Sequence, residues 1–550
     1  MQTTLCVPLE VKPESCSRLS ALIAELRQRE DRGTDPDLEN FARMIRDIPT
    51  LHFMSISVFL SADYDPMFVF EANMDGPPGV FWGQIEAAFG EKIRAMLRCC
   101  KTPLDRDAPL YEAVTAPGSV APVAPYMEAR TQWPSAFHHG NRGLSRDRIL
   151  TEAALFDEIR LELDDPDRHA ADIYRGLPAC DVQTQLRQAL LPKFSWLATA
   201  SLPRISDAEK NRDRLRLMVF VVVLLLVLSL PGVVIAALLP AKTYVLLIIV
   251  VAAVIGFLIY LSRKALPGTE IPTRFNLIGF LTERAALIGG FLAAAVFLIT
   301  ALMWFPVALG SMLLSLLEGR VWSLAGLGFW TMAGITLRGL LSLIVILPLI
   351  VLWLRYLERR DSSQADPPLD PVILREMARQ EDWVAQNHMG SIVRVKPGVL
   401  RTILLRVGHM GLGLLLRVTA TDGYLGSMRT VHFAHWAFLN NTSRLLFLSN
   451  YDQSWGSYLD DFIEKANVGT TLAWGAGVGF PPTRFLIYDG SSNGRMFKNW
   501  ALASRAVSRF WYSAYPNLTV NQIARNNCIA DGLRKPRMTE KEARTWMTYL

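Results

Sequence analysis

The sequence predicts an α+β protein in which two similar mixed arms flank a block of transmembrane helices. Three observations predict this fold class. Hydrophobic residues make up 51% of the 550 residues and charged residues only 20%, which is more apolar than a water-soluble protein needs. That apolarity is concentrated between about residues 215 and 355. The arms on either side repeat the same order of apolar runs and turns, so we expect a duplicated soluble unit divided by a membrane anchor.

The overall composition excludes several classes of protein. The low share of charged residues excludes a disordered chain, and a formal net charge of +6 is too small to predict a nucleic-acid partner. The six cysteines form no C-x-x-C pair, which is typical of a reducing compartment. The first residues have neither a basic region nor an apolar core, so no cleaved signal peptide is expected.

Four apolar segments are candidates to cross a membrane, since a helix needs about 20 residues to do so. They are residues 217–239, 244–261, 285–305 and 339–354. The last could extend over 321–337 as a tilted helix that buries Arg338 against its neighbours. We favour the alternative, an interfacial stretch over 306–337 that leads into a short span, because Arg338 in mid-membrane would be costly. Small residues from Gly289 to Ala295 could let helices pack within one protomer or between protomers of a homo-oligomer.

Basic residues in the loops predict the orientation of these spans. They precede span one, separate spans two and three, and follow span four: Lys210, Arg212, Arg214, Arg216, Arg263, Lys264, Arg274, Arg284, Arg355, Arg359 and Arg360. The opposite loops hold only Lys242 and Arg320. We therefore expect an integral protein of a bacterial inner membrane, with the lipid bilayer as partner and both termini in the cytoplasm.

The two arms, residues 1–210 and 361–550 around a membrane domain at 211–360, look like copies of one unit. In the first, a hairpin from Thr50 to Phe70 precedes a helix near residues 80–99. In the second, a hairpin from Thr430 to Leu448 precedes a helix near residues 458–466. A later strand and helix complete each copy. This is the plan of a ferredoxin-like β-α-β unit, and two such units could bury their apolar sheet faces against each other as a cytoplasmic barrel or sheet pair.

Matching polar residues mark the same positions in both copies. His52 and His432 begin the first strand of each hairpin, where they are either ligands and acid–base groups or packed histidines with a backbone partner. Asp75 and Asp452 end the second strand. They are either general acids or N-cap residues of the helix that follows. His432 and His435 are three residues apart, so regular strand alternation would place them on opposite faces.

Tandem ferredoxin-like units resemble the dimeric α+β barrel group, which includes the dye-decolourising peroxidases. That family carries Gly-x-x-Asp-Gly, whose aspartate is the distal acid at a haem. Ala72–Gly76 differs from this motif at one position and Ser449–Gln453 at two. The resemblance implies catalytic roles for Asp75 and Asp452.

The family's axial haem ligand is a histidine downstream of the motif in the later unit. No histidine follows His435 here, whereas His138 and His139 follow Asp75. The resemblance therefore implies that haem, if bound, has His138 or His139 as its ligand. The membrane block has no counterpart in the soluble peroxidases.

Three functions remain open. The first is a membrane-tethered, haem-dependent peroxidase-like oxidoreductase with Asp75 as its acid. The second is a non-catalytic binder of a small apolar or lipid-derived ligand, with His52 and His432 as polar contacts. The third is a scaffold that docks a soluble partner at the membrane through its sheet edges.

One further motif suggests nucleophilic chemistry. Gly490–Gly494 matches G-x-S-x-G, the turn that presents a catalytic serine in α/β-hydrolases. The base of that motif is a later histidine, and none follows His435. We therefore favour an ordinary polar turn at Ser492.

Overall fold

A computed structural model describes residues 2–31, 41–61, 64–164, 173–201, 203–264, 279, 282–283, 285–319, 328–361, 371–381, 385–420 and 428–550. Three of the loop cations above, Arg274, Arg284 and Arg320, lie outside these residues.

The part of the chain before the membrane helices contains four strands. The elements in chain order are β1 (Gln2–Glu10), α1 (Cys16–Glu30), α2 (Ala42–Asp47), β2 (Leu51–Phe59), β3 (Met67–Asp75), α3 (Pro78–Leu97), α4 (Ala108–Thr115), α5 (Ala124–Ala129), β4 (Ala136–His139), α6 (Arg146–Asp164) and α7 (Ala179–Leu190). The predicted hairpin and the helix after it are β2, β3 and α3.

Long apolar helices follow. They are α8 (Asp207–Leu238), α9 (Ala241–Ser262), α10 (Ala285–Leu317), α11 (Phe329–Leu341) and α12 (Leu343–Arg359). The prediction of an interfacial stretch beginning at Pro306 is wrong, because α10 continues through this proline to Leu317. Arg338 lies within α11 and donates from Nε to the Gly334 carbonyl at 3.2 Å.

Glycines bring two of these helices together. A Cβ added at Gly232 of α8 would lie 2.1 Å from Ser342 Oγ, and one at Gly339 of α11 would lie 2.2 Å from Val233 Cγ2. Such contacts let helix backbones approach closely in lipid, where packing rather than water exclusion drives association.

The rest of the chain repeats the first plan. Its elements are α13 (Pro371–Glu381), β5 (Gln386–Arg394), α14 (Val399–Thr419), β6 (Val431–Leu439), β7 (Arg444–Asp452), α15 (Trp455–Lys465), α16 (Asn467–Trp474), β8 (Thr483–Arg484), β9 (Tyr488–Asp489), α17 (Gly494–Ala503), β10 (Arg505–Ala506), β11 (Phe510–Ser513), α18 (Val520–Arg534) and α19 (Glu540–Met547). Strands β1 and β5, which begin the two copies, did not figure in the sequence prediction.

The two main sheets exchange their last strands. The first sheet has the order β1-β3-β2-β11, and the second has the order β10-β5-β7-β6-β4. Strand β4 therefore comes from the first arm but pairs with β6, and β11 comes from the second arm but pairs with β2. Because each sheet contains a strand of the other arm, both arms must lie on the same side of the membrane.

Five helical segments are long and apolar enough to cross a membrane: Asp207–Leu238, Ala241–Ser262, Leu292–Leu317, Phe329–Arg359 and Val399–Thr419. The last is α14, which joins β5 to β6 within one sheet. These two strands run parallel, since both pair antiparallel with β7. A helix that joins two parallel strands of one sheet runs back along that sheet and does not cross to the far side of a membrane.

Helix α14 packs between the second sheet and the first membrane helix. His409 lies within hydrogen-bonding distance of Ser135 Oγ and the Ala473 carbonyl, at 3.2 and 3.1 Å. A Cβ added at Gly411 would lie 3.1 Å from the Phe220 ring of α8. The remaining four segments satisfy the even number of crossings that the strand exchange requires.

The faces that the two sheets turn toward each other are partly polar. The uniformly apolar side of β3, with Phe70, Ala72 and Met74, packs against Phe81 and other residues of the flanking helices. The opposite side of β3 carries Glu71, Asn73 and Asp75. The prediction that the sheets would bury apolar faces against each other therefore holds only at one end, where an apolar cluster joins them: Cys6, Phe59, Met67, Val69, Ile392, Ala437, Leu439, Leu446 and Leu448.

Candidate functional site

Each arm contains an aspartate–histidine pair at the predicted positions, which is half-buried in the first arm and buried in the second. His52 Nε2 lies 3.2 Å from Asp75 Oδ2, and His432 Nε2 lies 2.7 Å from Asp452 Oδ1. Each aspartate ends the middle strand of its sheet, and each histidine lies at a β-bulge near the start of the neighbouring strand. The matching positions seen in the sequence thus correspond to matching contacts.

Each aspartate also holds the start of a distant helix. Asp75 Oδ2 accepts a hydrogen bond from the Arg146 backbone N–H at 2.7 Å, and Asp452 Oδ2 accepts one from Val520 at 2.8 Å. Each aspartate therefore accepts a hydrogen bond from a helix N-terminus, as an N-cap residue does. The helices are α6 and α18, however, and not the helices that directly follow β3 and β7, as we expected. Burial raises the pKa of Asp75, but His52 and the Arg146 N–H outweigh it and hold that pKa below its usual value.

The bulge also changes the direction of one histidine. It inserts an extra residue between Val431 and Phe433, which breaks the alternation of the strand. The His432 ring therefore lies 5.3 Å from Phe53 of the first sheet. His435 also faces that sheet, with Nδ1 3.6 Å from Glu71 Oε1. The expectation that these histidines face opposite ways is wrong.

His138 and His139 lie on opposite faces of β4. His139 Nε2 is 2.9 Å from Thr4 Oγ1, and its ring packs on Phe433 between the sheets. His138 is 2% exposed, and both of its ring nitrogens lack a hydrogen-bond partner. Burial lowers the pKa of His138 to about 4. These neighbours therefore have different surroundings.

The contacts of the six predicted residues do not fit a haem site. The Asp75 carboxylate is engaged by a helix N-terminus and by His52, whose Nδ1 is 2.8 Å from Tyr515 Oη. His138 and His139 do not face a common space, and the strand that carries them belongs to the second sheet. Haem binding stays a prediction of the resemblance, and no step below depends on it.

A second buried carboxylate, Glu71, was not singled out from the sequence. It is fully buried between the sheets, and it accepts hydrogen bonds from Ser55 Oγ at 2.8 Å and Asn73 Nδ2 at 3.1 Å. His388 Nε2 lies 2.8 Å from Glu71 Oε2. Burial raises the pKa of Glu71, but His388, His435 and Asn73 together lower it to about 2.

The polar chain continues from Glu71 to the surface. His388 Nδ1 lies 2.5 Å from Ser508 Oγ, which also accepts a hydrogen bond from Ser57 Oγ at 3.2 Å. Glu71 and His388 are buried, whereas Ser508 is half-buried. The only sequence signal was a polar residue in an apolar strand, because these residues are far apart along the chain.

Ser508 opens onto a cleft of about 910 Å³. The cleft lies beside the start of β11, which pairs with β2 only as far as Ile56, and it is bounded by α1, the end of β5 and residues 503–509. Its apolar wall includes Phe59, Leu60, Ile392 and Trp500, and none of the six predicted site residues lines it.

Arginines line the polar side of this cleft: Arg27, Arg394, Arg505 and Arg509. Arg27 lies 3.5 Å from Asp31, which also lines the cleft. Arg505 is 9% exposed; its Nη2 donates to the His388 carbonyl at 3.2 Å, while its Nε and Nη1 have no partner. Buried N–H groups of a cation without acceptors are costly, so Arg505 is a candidate to bind an anion.

The remaining candidate groups are accounted for within the described residues. Ser492 donates from its hydroxyl to the Asp489 carbonyl at 2.7 Å within a turn. No cluster of three or more histidine, cysteine or acidic side chains suited to a metal ion occurs in the described part of the chain. No known protein family, curated protein or solved structure matches the chain.

Proposed function

We propose that the protein is a membrane-anchored binding protein for an anionic amphiphile, a molecule with one apolar chain and a carboxylate or phosphate head. This develops the second of the three functions considered from the sequence, but it moves the site from the histidines to the cleft beside Arg505. The observation that carries it is a buried, partly unpartnered arginine on the wall of a cleft that has one apolar and one polar side.

The size and chemistry of the cleft support this class of ligand. Small-molecule sites typically have volumes of about 300–1,000 Å³ and combine apolar walls with a few polar groups, and this cleft has about 910 Å³. The Phe59, Leu60, Ile392 and Trp500 side chains would contact the chain. Arg505 would bind the head, since guanidinium groups pair well with carboxylates and phosphates.

The membrane helices support the same proposal. Four segments besides α14 are apolar enough to cross the bilayer, which would keep the cleft close to a source of amphiphiles. We place both arms, as ferredoxin-like units with exchanged last strands, on the cytoplasmic side of a bacterial inner membrane. The basic residues in the first turns of α8 and at the end of α12 support that side.

The proposal is tested by binding of a fluorescent fatty acid to the full-length protein in lipid nanodiscs, with empty nanodiscs as background. We expect Arg505→Met to weaken binding of the acid about tenfold, the loss of one charge-assisted contact, but to leave binding of its methyl ester unchanged. Arg525→Met is the matched control, because Arg525 packs on Phe156 and does not line the cleft.

Two results would contradict the proposal. One is a wild-type protein that binds no fatty acid above the background. The other is equal weakening in the Arg505 and Arg525 variants. The peroxidase and scaffold functions stay predictions, and no contact described above favours either.

A further inference from the structure

We infer that Ser508, His388 and Glu71 form a nucleophilic triad that hydrolyses a carboxylic ester in the cleft. The inference rests on the proposed function in one respect, since the cleft that binds the amphiphile would present its ester to Ser508. It goes further by assigning a reaction, and the three residues are ones that the sequence did not indicate.

The proton positions of the triad follow from the carboxylate. Glu71 is ionised at neutral pH, because its pKa is lowered to about 2. An ionised carboxylate can only accept hydrogen bonds, so His388 must donate from Nε2 to Glu71 Oε2 across 2.8 Å. In a neutral ring the other nitrogen, Nδ1, then carries the lone pair.

The lone pair on His388 Nδ1 faces the serine. It accepts the Ser508 hydroxyl proton across 2.5 Å, and Ser57 donates to the same oxygen at 3.2 Å. This is the arrangement of an activated nucleophile: a hydroxyl, a base within hydrogen-bonding reach, and a carboxylate that orients the base. In the serine–histidine–aspartate triad, Nε2 faces the serine and Nδ1 faces the carboxylate. Here Nδ1 faces Ser508 and Nε2 faces Glu71, so the nitrogens are exchanged while the base and its orienting carboxylate keep their roles.

Accessibility decreases along the triad in the order that catalysis requires. Ser508 is half-buried and lines the cleft, His388 is 7% exposed behind it, and Glu71 is fully buried. Substrate could therefore reach the nucleophile while the carboxylate stays away from water.

The two arms have equivalent strands at this place, but only one set of equivalent positions carries the triad. Aligning the copies on Asp75 and Asp452 places Leu448 opposite Glu71, and aligning β1 with β5 places Thr4 opposite His388. A repeated structural network would have kept polar partners at both places. Glu71 comes from the first arm and the other two residues from the second: the packing of the two sheets brings Glu71 to His388, and the segment that leads into the exchanged strand β11 carries Ser508.

The reaction balances with water as the only co-reactant. Ser508 Oγ bonds to the ester carbonyl carbon as its proton moves to His388 Nδ1. The ester C–O bond then breaks, and the alcohol leaves with that proton. Water next gives a proton to His388 and its oxygen bonds to the acyl carbon. The Oγ–carbon bond breaks, Ser508 regains the proton, and a carboxylic acid is released.

The test is covalent labelling by a fluorophosphonate, in which Ser508 Oγ bonds to phosphorus and fluoride leaves. We expect mass spectrometry of the full-length protein to place the label on Ser508. Ser508→Ala should abolish labelling and hydrolysis of a nitrophenyl octanoate ester. Ser135→Ala is the matched control and should react like the wild type. Ser135 is also half-buried and lies 3.2 Å from a histidine nitrogen, His409 Nδ1, but it does not line the cleft, and the other ring nitrogen of His409 faces the Ala473 carbonyl and not a carboxylate.

The base and the carboxylate are tested separately. His388→Ala should slow labelling at least 100-fold and recover part of the rate in added imidazole, which a purely structural role would not produce. Glu71→Gln should slow it at least tenfold. Tryptophan fluorescence and size-exclusion elution verify the fold of each variant. If Glu71→Gln does not fold, the imidazole rescue of His388→Ala still decides whether His388 is the base that activates Ser508.

The outcomes separate this inference from the proposed function. A folded wild-type protein that binds the fluorescent fatty acid but is not labelled, or is labelled elsewhere, overturns the triad and leaves the binding protein. Labelling at Ser508 without fatty-acid binding overturns the proposal that the cleft binds an anionic amphiphile, and it leaves a hydrolase for a different ester. Ser508→Ala should retain fatty-acid binding if both are right.

Discussion

The two aspartate–histidine pairs share one main-chain arrangement but differ in the side chain beside the histidine. Ala514 N–H donates to the His52 carbonyl at 2.9 Å, and Gly140 N–H donates to the His432 carbonyl at 2.7 Å. One residue further on, Tyr515 Oη lies 2.8 Å from His52 Nδ1. The equivalent residue in the other arm is Asn141, which is 7% exposed and has neither amide atom partnered.

This difference shows which parts of the duplicated unit are under structural constraint. The aspartate, the bulged histidine and the helix amide recur in both arms because the sheet and its last strand need them. Gln2 and Gln386 recur in the same way, since each donates to a main-chain carbonyl next to an exchanged strand. Residues that occur in one arm only, such as Glu71 and His388, are where we place function.

The largest expected effect is the loss of an aspartate. Asp452→Ala should lower the free energy of unfolding by about 2–6 kcal/mol, because His432 and the Val520 N–H, both buried, each lose a hydrogen-bond partner at about 1–3 kcal/mol. Asp75→Ala should cost about 1–3 kcal/mol, since its side chain is 22% exposed and its contact with His52 is longer. Denaturant unfolding followed by tryptophan fluorescence measures both, and an equal or larger loss for Asp75→Ala would contradict the ranking.

A smaller effect is expected beside the histidines. Tyr515→Phe should cost about 1–3 kcal/mol, because it leaves His52 Nδ1 without its partner. Asn141→Leu should be neutral or stabilising, because it removes two buried polar atoms that have no partner. The same unfolding experiment applies. A destabilised Asn141→Leu protein would show that the Asn141 amide has a partner after all, and the contrast between the arms would fail.

The smallest effect at neutral pH concerns His138. Its pKa is about 4 in the folded state, against about 6.5 in an unfolded chain. The unfolded state therefore binds more protons below about pH 6.5, so stability falls on acidification, by about 3 kcal/mol near pH 4. His138→Leu should be close to wild type at pH 7.5 and lose less stability between pH 6.5 and 4. If the free energies of unfolding of the wild type and of His138→Leu fall in parallel between pH 6.5 and 4, the acid sensitivity does not come from His138.

Some of the candidate site followed from the sequence. The matching positions of His52 with His432 and of Asp75 with Asp452 were visible because these residues end or begin strands that an apolar pattern reveals. Their partners were not visible, because the amides of Arg146 and Val520 lie 71 and 68 residues further along the chain. The direction of His432 also escaped prediction, since a bulge is not marked by any residue type in this strand.

The sequence by itself determined that the chain is a membrane protein with mixed helix and sheet around an apolar block. Hydropathy and strand periodicity are local properties, so they can be read residue by residue. Only the tertiary structure decided that the arms exchange β4 and β11, that α14 runs along a sheet, and that Glu71, His388 and Ser508 form a polar chain whose outer end, Ser508, reaches the cleft. These features depend on contacts between residues that are far apart along the chain. Such contacts form only when the strands pair into sheets through their backbone hydrogen bonds.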